Sequence, residues 1–426
     1  MEIRRDRYLQ QLISRKNNGL IKVITGIRRC GKTYLLFHLY YDYLIQSGVS
    51  ADNIITISLD DEEYSEYIDP RKLYDYVKSR IFDSKQQYYV FIDEAQYAIT
   101  KEEMKNPDIP IRLYGILNGL LRKNNVDVYV TGSNSKFLST DIMTEFRGRG
   151  DEIHVSPLSF SEFCSAFNGN RIEAWKEYSL YGGMPHILSE LNEQAKAGYL
   201  NRLNQEIYLR DIMERYDIRN SAGLKELMRV LASGIGSFTN AQKISDTFVS
   251  SGIKGITMPT ITNYLGYLQD SFVIQKAERY DIKGRKYIST PAKYYYSDLG
   301  LRNALLNFRQ YEETHIMENV IYNELIYRGY NVDVGIVETR GTDGKRKQLE
   351  VDFVVNQGSK RYYVQSAFAI PDQSKMNQEQ ASLIRIDDSF KKIIVVNTNT
   401  PAWRNERGIT IINIFDFLLN ENSLDL

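Results

Sequence analysis

Residues 24–33 read Ile-Thr-Gly-Ile-Arg-Arg-Cys-Gly-Lys-Thr, and residues 26–33 match the spacing G-x-x-x-x-G-K-[ST]. Context gives the match its weight. The apolar run 21–25 precedes it, and an amphipathic stretch opens at Lys32 and continues through 34–45. A strand that turns through glycines into a helix aims backbone N–H groups and the positive helix end at one point, which suits a phosphate. The expected nucleotide contacts are Gly26, Ile27, Arg28, Arg29, Cys30, Gly31, Lys32, Thr33 and Tyr34. Lys32 would reach the β- and γ-phosphates of ATP, and the Thr33 hydroxyl would ligate Mg²⁺. The plainer alternative is a glycine turn that binds nothing. Cys30, inside the loop, is either a redox-sensitive thiol or a small residue that fits the turn.

Working outward, short apolar runs at 54–59, 88–92 and 126–131 alternate with helical patterns at 70–82 and 111–122, and a fifth strand ends near Val155. This is the alternation of a doubly wound α/β sheet. The run 88–92 ends in Asp93 and Glu94, at the sheet edge where α/β proteins bind ligands. Asp93 would hold Mg²⁺ through water, and Glu94 would polarise the attacking water. Alone, such a pair is only the solvated start of a loop; the upstream glycine loop makes it the second half of a site.

Bulk properties narrow the class. The chain has 426 residues, 54 basic and 54 acidic, and two cysteines, Cys30 and Cys164. Zero net charge means that any nucleic-acid binding must come from a local patch. Two cysteines make no disulfide framework, no apolar run approaches membrane-spanning length, and the charged start carries no secretory pattern; a cytoplasmic protein is expected. Tyrosine is abundant, at 32 residues, which fits half-buried surface positions as well as any special role.

The stretches 24–33, Asp93-Glu-Ala-Gln96, Thr131-Gly-Ser133 and Pro157-Leu-Ser-Phe-Ser-Glu-Phe163 together resemble the prokaryotic AAA-like ATPases of the archaeal-ATPase group, relatives of the STAND NTPases. The resemblance spans nearly the whole chain. It implies a P-loop ATPase core over 1–160, a helical lid over 161–220, and a C-terminal domain of unknown function. It further implies a sensor at Ser133 or Asn134, where a plain turn is the alternative. Arg147 or Arg149 would be an arginine finger, on the chain's own nucleotide or a neighbour's in a homo-oligomer; a surface salt bridge is the alternative. Tyr181-Gly-Gly-Met-Pro185 matches the family's Gly-x-Pro element, which puts Gly183 and Pro185 near the adenine; otherwise they are a helix break.

Two modules follow. Residues 221–310 read helix, helix, strand, turn at Gly284, strand, the winged-helix order. Thr260, Asn263 and Tyr264 on its second helix would meet DNA bases, with Lys283, Arg285 and Lys286 on phosphates. Residues 275–293 hold six basic and two acidic residues (276, 279, 283, 285, 286 and 293 against 278 and 281). A protein-contact module is the alternative. Residues 311–426 resemble a PD-(D/E)xK nuclease core, with Glu318 on a helix and Glu350 and Asp352 on one strand. The third element, however, reads Gln365-Ser-Ala367, with an amide for the metal-ligating carboxylate and a methyl for the lysine. Glu318, Asp352 and Gln365 therefore look like a vestigial site, with Lys375 and Glu379 as candidates for compensation. The sequence thus points to a Mg²⁺-dependent ATPase acting as a switch or motor. Its rivals are an ATP-dependent nuclease and a nucleotide-gated DNA-binding or signalling module with negligible turnover.

Overall fold

The structure, a computed structural model, describes residues 3–106, 108–133, 150–190, 192–253, 255–340 and 346–426. The chain divides into two compact units, one of residues 1–157, 211–217 and 268–273, the other of the remainder.

Among the described residues, the first unit holds five parallel strands, β1 (Ile21–Thr25), β2 (Ile54–Ser58), β3 (Tyr88–Asp93), β4 (Val126–Thr131) and β5 (Gly150–His154), in the order β2-β3-β4-β1-β5. β1, β3 and β4 are buried at every position, as central parallel strands covered on both faces must be. On one face Ile21, Val23, Val90, Ile92, Val128 and Val130 form a core with Leu73 and Val77 of helix Pro70–Ser79 and Leu117 and Leu120 of helix Arg112–Leu121. The other face carries a buried polar knot. The Lys22 ammonium meets the Asp127 carboxylate, which also accepts from the Tyr129 hydroxyl at 2.7 Å, and Tyr129 meets the Tyr40 hydroxyl at 2.6 Å. Because β1 has β4 on one side and β5 on the other, the loops leaving β1, β4 and β3 open at the same sheet edge.

In the second unit, Ser159 and Glu162 form a reciprocal capping box that starts helix Phe160–Ala166, so the polar residues of the 157–163 stretch are a helix start. Among the described residues, the unit's sheet has eight strands: β6 (Ile274–Asp281), β7 (Lys286–Tyr296), β8 (Asn331–Arg340), β9 (Arg346–Gln357), β10 (Lys360–Ala367), β11 (Lys391–Val396), β12 (Trp403–Arg404) and β13 (Thr410–Asn413). Their order is β12-β13-β11-β10-β9-β8-β6-β7. The β6–β7 hairpin therefore extends the C-terminal sheet, joined to it by parallel pairing of Arg279–Asp281 with Val334–Ile336. Among the described residues, no helix is long and apolar enough to cross a membrane.

Candidate functional site

Gly26 opens the phosphate loop at φ +143°, and a Cβ there would sit 2.1 Å from the Val155 carbonyl oxygen. Only glycine fits, because the loop's first turn is pressed against the chain leaving β5. Cys30 is buried, and its thiol donates to the same carbonyl at 3.2 Å. Of its two readings, that geometry favours the small residue that fits the turn. Arg5 ties the loop from behind, donating to the Cys30 and Ser156 carbonyls at 3.3 and 2.6 Å. The buried Lys32 ammonium lies at the mouth of the loop, donating to the Gly26 and Ile27 carbonyls at 3.0 and 3.2 Å.

Two strand ends, those of β3 and β4, meet in front of the loop. Thr33 donates to one Asp93 oxygen at 2.7 Å, and the Thr131 hydroxyl donates to the other. Burial raises the Asp93 pKa, and these two hydroxyls oppose it. Glu94 has φ +50° and ψ +47°, a left-handed conformation that costs a non-glycine residue ~1 kcal/mol or more and persists only where the surroundings hold it. Here its N–H donates to the Thr131 hydroxyl at 3.0 Å, and its carboxylate accepts from the Gln96 amide. Gln96 also reaches the Ser133 hydroxyl at 3.4 Å. The geometry thus brings together Lys32, Thr33, Asp93, Glu94 and Ser133, all singled out in the sequence. It adds Thr131 and Gln96, which stood in quoted motifs without a role; their signal was a polar residue at, or just past, a strand end. Asn134, Arg147 and Arg149 lie outside the described residues. Arg28 reaches away from the loop to the Tyr97 hydroxyl at 3.1 Å and the Asp211 carboxylate at 3.6 Å, and Tyr34 packs on His38. Hard oxygens of Thr33 and Asp93 beside a lysine fit a hydrated Mg²⁺ with a polyphosphate.

Behind the loop, the Thr25 hydroxyl lies 2.6 Å from Glu152 and 3.2 Å from Nδ1 of His154, whose ring packs on Phe272 at 4.7 Å. Burial, and then the Lys32 ammonium, push the His154 pKa down to about 4. The unfolded chain therefore binds more protons between about pH 4 and 6.5, and the stability His154 contributes is lost as pH falls through that window. An NMR titration of the four histidines should show His154 still neutral at pH 6, with a midpoint below 5. A midpoint near 6.5 would show that it is solvated and indifferent to the loop.

Residues 18–164 match the model of an AAA domain, and residues 172–312 match a domain of unknown function, DUF8612. An uncharacterized protein of Haemophilus influenzae is 34% identical over 422 residues, covering 98% of each chain. The chain belongs to that AAA-domain family. The uncharacterized protein MJ1544 of Methanocaldococcus jannaschii is 29% identical over 398 residues, covering 88% of this chain and 82% of that one. A Walker-type ATPase of Pyrococcus abyssi, PABY2304, superposes with a TM-score of 0.46 at 16% identity, over 72% of this chain and 96% of that one.

Outside the AAA domain, Gly182 and Gly183 have a packing reason of their own. Gly183 donates to the buried Asp298 carboxylate at 2.7 Å, and a Cβ on Gly182, at φ +76°, would lie 2.3 Å from it. Pro185 opens the short turn Pro185–Ser189 that follows. Helix Met258–Asp270 leaves Asn263 exposed and Thr260 half-buried, but Tyr264 is only 6% exposed and belongs to the core, so it offers no surface to DNA. Its place in the sequence, one position from Asn263 on a helix with a wide apolar face, hid that. Lys283, Arg285 and Lys286 are exposed at the β6–β7 turn. The rest of the expected basic patch is spent internally: Lys276 pairs with Glu278 at 2.6 Å, Arg279 bonds Gln348 at 2.9 Å, and Lys293 is buried. Lys293 lies instead between Glu318 and Glu350, at 2.8 and 2.5 Å. Asp352 accepts from the Ser366 N–H at 2.8 Å, and the Gln365 side-chain oxygen accepts from the Asp352 N–H at 3.4 Å. Burial, with Glu318 and Glu350 nearby, raises the Asp352 pKa well above the usual carboxylate range; Glu318, which burial alone would raise, is held at about 2 by Lys293. Lys375 is taken by Glu379 on its own helix, at 2.6 Å.

Proposed function

We propose that this protein is a Mg²⁺-dependent ATPase whose AAA domain works as a nucleotide-driven switch or motor. The observation that carries the reading is the convergence of Thr33, Asp93 and Thr131 on one point, with Glu94 held beside it by Gln96. Thr33 and Asp93 would hold the cation, which neutralises charge on the β- and γ-phosphate oxygens. Lys32 would exchange the Gly26 and Ile27 carbonyls for phosphate oxygens, a stronger set of partners because they are anionic. Glu94 would take the proton of the attacking water once Gln96 lets its carboxylate turn inward, and Ser133, through Gln96, would sense that turn. Arg147 or Arg149 would complete this reading as the finger, with Ser133 or Asn134 as the sensor. The test is binding of ATP to the purified full chain, followed by release of phosphate, with and without duplex and single-stranded DNA.

The DNA arm of that test has its own support. Thr239 makes an isolated antiparallel bridge to Ala292 of β7, so helix Ser221–Ser233, that bridge, helix Ala241–Ser250, helix Met258–Asp270 and the β6–β7 hairpin follow in winged-helix order. In this reading Asn263 and Thr260 face bases, and Lys283, Arg285 and Lys286 face phosphates. Changing those three cations together to alanine should weaken duplex binding and lower the log–log salt slope by about 0.9 for each phosphate that is no longer neutralised. Wild-type protein that binds no DNA in a salt-dependent way, with ATP, ADP or neither, would assign the module to protein contacts. The C-terminal sheet fits the degenerate-nuclease reading better than the working one. Gln365 spends its oxygen on the Asp352 N–H, and Ala367 is buried and apolar.

A further inference from the structure

The centre formed by Glu318, Glu350 and Asp352 already contains a cation. Lys293 is 3% exposed, and its ammonium lies 2.8 Å from Glu318 and 2.5 Å from Glu350. Tyr295, two residues along the same strand face, donates to the same Glu318 oxygen at 2.7 Å. The Phe238 ring lies 5.6 Å from the ammonium. The carboxylates come from helix Glu313–Tyr327 and from β9; the ammonium comes from β7, at the far edge of the sheet.

We propose that Lys293 is the resident cation of this centre. It fills, from the hairpin, the place that a divalent metal would take among Glu318, Glu350 and Asp352, so that the sheet needs no metal and loss of the lysine uncovers a divalent-cation site. A buried carboxylate pair demands a counter-charge, and an ion pair in such surroundings holds only when its remaining donors and acceptors are satisfied. Lys293 supplies that counter-charge to Glu318 and Glu350, and Tyr295 adds a second donor to the same Glu318 oxygen. A hard divalent ion would need the carboxylate oxygens drawn in to about 2.0–2.4 Å, closer than an ammonium holds them. Among the described residues, no group of acidic, histidine or cysteine side chains is arranged to hold a metal ion. The inference stands on these contacts whether or not the AAA domain hydrolyses ATP. It also gives the hairpin a fixed base, since the strand that carries the exposed Lys286 is tied by Lys293 to the helix and to β9.

The test is thermal unfolding of the full chain, without nucleotide, with and without Mn²⁺, on four proteins: wild type, Asp352→Asn, Lys293→Met and Lys293→Met/Asp352→Asn. Wild type and Asp352→Asn should respond to Mn²⁺ equally. Lys293→Met should melt lower than wild type and recover with Mn²⁺, and the double variant should not recover. A Mn²⁺ response in wild type that Asp352→Asn removes would overturn the proposal, as would a folded Lys293→Met indifferent to Mn²⁺. If Lys293→Met does not fold, the wild type and Asp352→Asn pair decides alone: equal responses support a lysine-filled centre, unequal ones refute it.

Discussion

Glu94→Gln should bind ATP as wild type does and hydrolyse it about 10²–10⁴-fold more slowly, whereas Lys32→Ala should lose both binding and turnover. The two variants separate chemistry from affinity because the two side chains are held so differently. Glutamine keeps the size of Glu94, and its new N–H₂ faces Gln96, whose buried side-chain oxygen has no partner among the described residues. The strained backbone at residue 94 is therefore retained, and only the proton acceptor is removed. Lys32→Ala instead deletes the ammonium that spans the mouth of the loop, leaving the Gly26 and Ile27 carbonyls facing an incoming polyanion. Binding is read by equilibrium titration with a fluorescent ATP analogue, and turnover by phosphate release. Equal rates for Glu94→Gln and wild type would remove Glu94 from the role of base.

Asp127→Ala should destabilise the first unit by about 3–5 kcal/mol, a large share of the 5–15 kcal/mol typical of a domain. Lys22 is fully buried on the second face of the sheet, and burial pushes its pKa down while Asp127 holds it up. Asp127 also accepts from the Asn17 N–H at 2.9 Å and the Tyr129 hydroxyl at 2.7 Å. Alanine leaves an ammonium, an N–H and a hydroxyl without that acceptor. With its carboxylate gone, the folded pKa of Lys22 falls further below its unfolded value, so the loss should be greatest at neutral pH and shrink as pH rises toward 10. Lys22→Met/Asp127→Leu, which removes both charges, should be far milder than Asp127→Ala. Urea denaturation of the three proteins measures this; a double variant as unstable as Asp127→Ala would mean that packing, not the orphaned charge, sets the cost.

What could be read from the sequence follows from which interactions are local. The strands of the first sheet were legible to within a residue or two because each is a short apolar run bounded by polar turns, and the phosphate loop because its glycines and lysine are consecutive. The helix that carries Glu318 and the strand that carries Glu350 and Asp352 were legible for similar reasons, as helix Glu313–Tyr327 and β9. β8 was not, since Asn331–Arg340 carries Asp333, Gly335 and Glu338 among its apolar residues, and the helix Asp6–Arg15 was read only as a charged start. Pairing across the chain was invisible: nothing local tells that β6 lies beside β8, or that Lys293 turns inward to Glu318 while Lys283 stays in solvent. The same holds in the candidate site. Asp93 and Glu94 announce themselves at a strand end, but Thr131 and Gln96 acquire meaning only when β3 and β4 are laid side by side.

The central claim, that this AAA domain turns over ATP, is tested most directly by phosphate release from purified wild-type protein under Mg²⁺ and excess ATP, with Lys32→Ala as the paired control. Many equivalents of phosphate per protein chain, matched by ADP and absent from Lys32→Ala, is the expected result. Wild-type protein that binds ATP yet releases no phosphate, with or without DNA, would contradict it, and so would release that persists undiminished in Lys32→Ala.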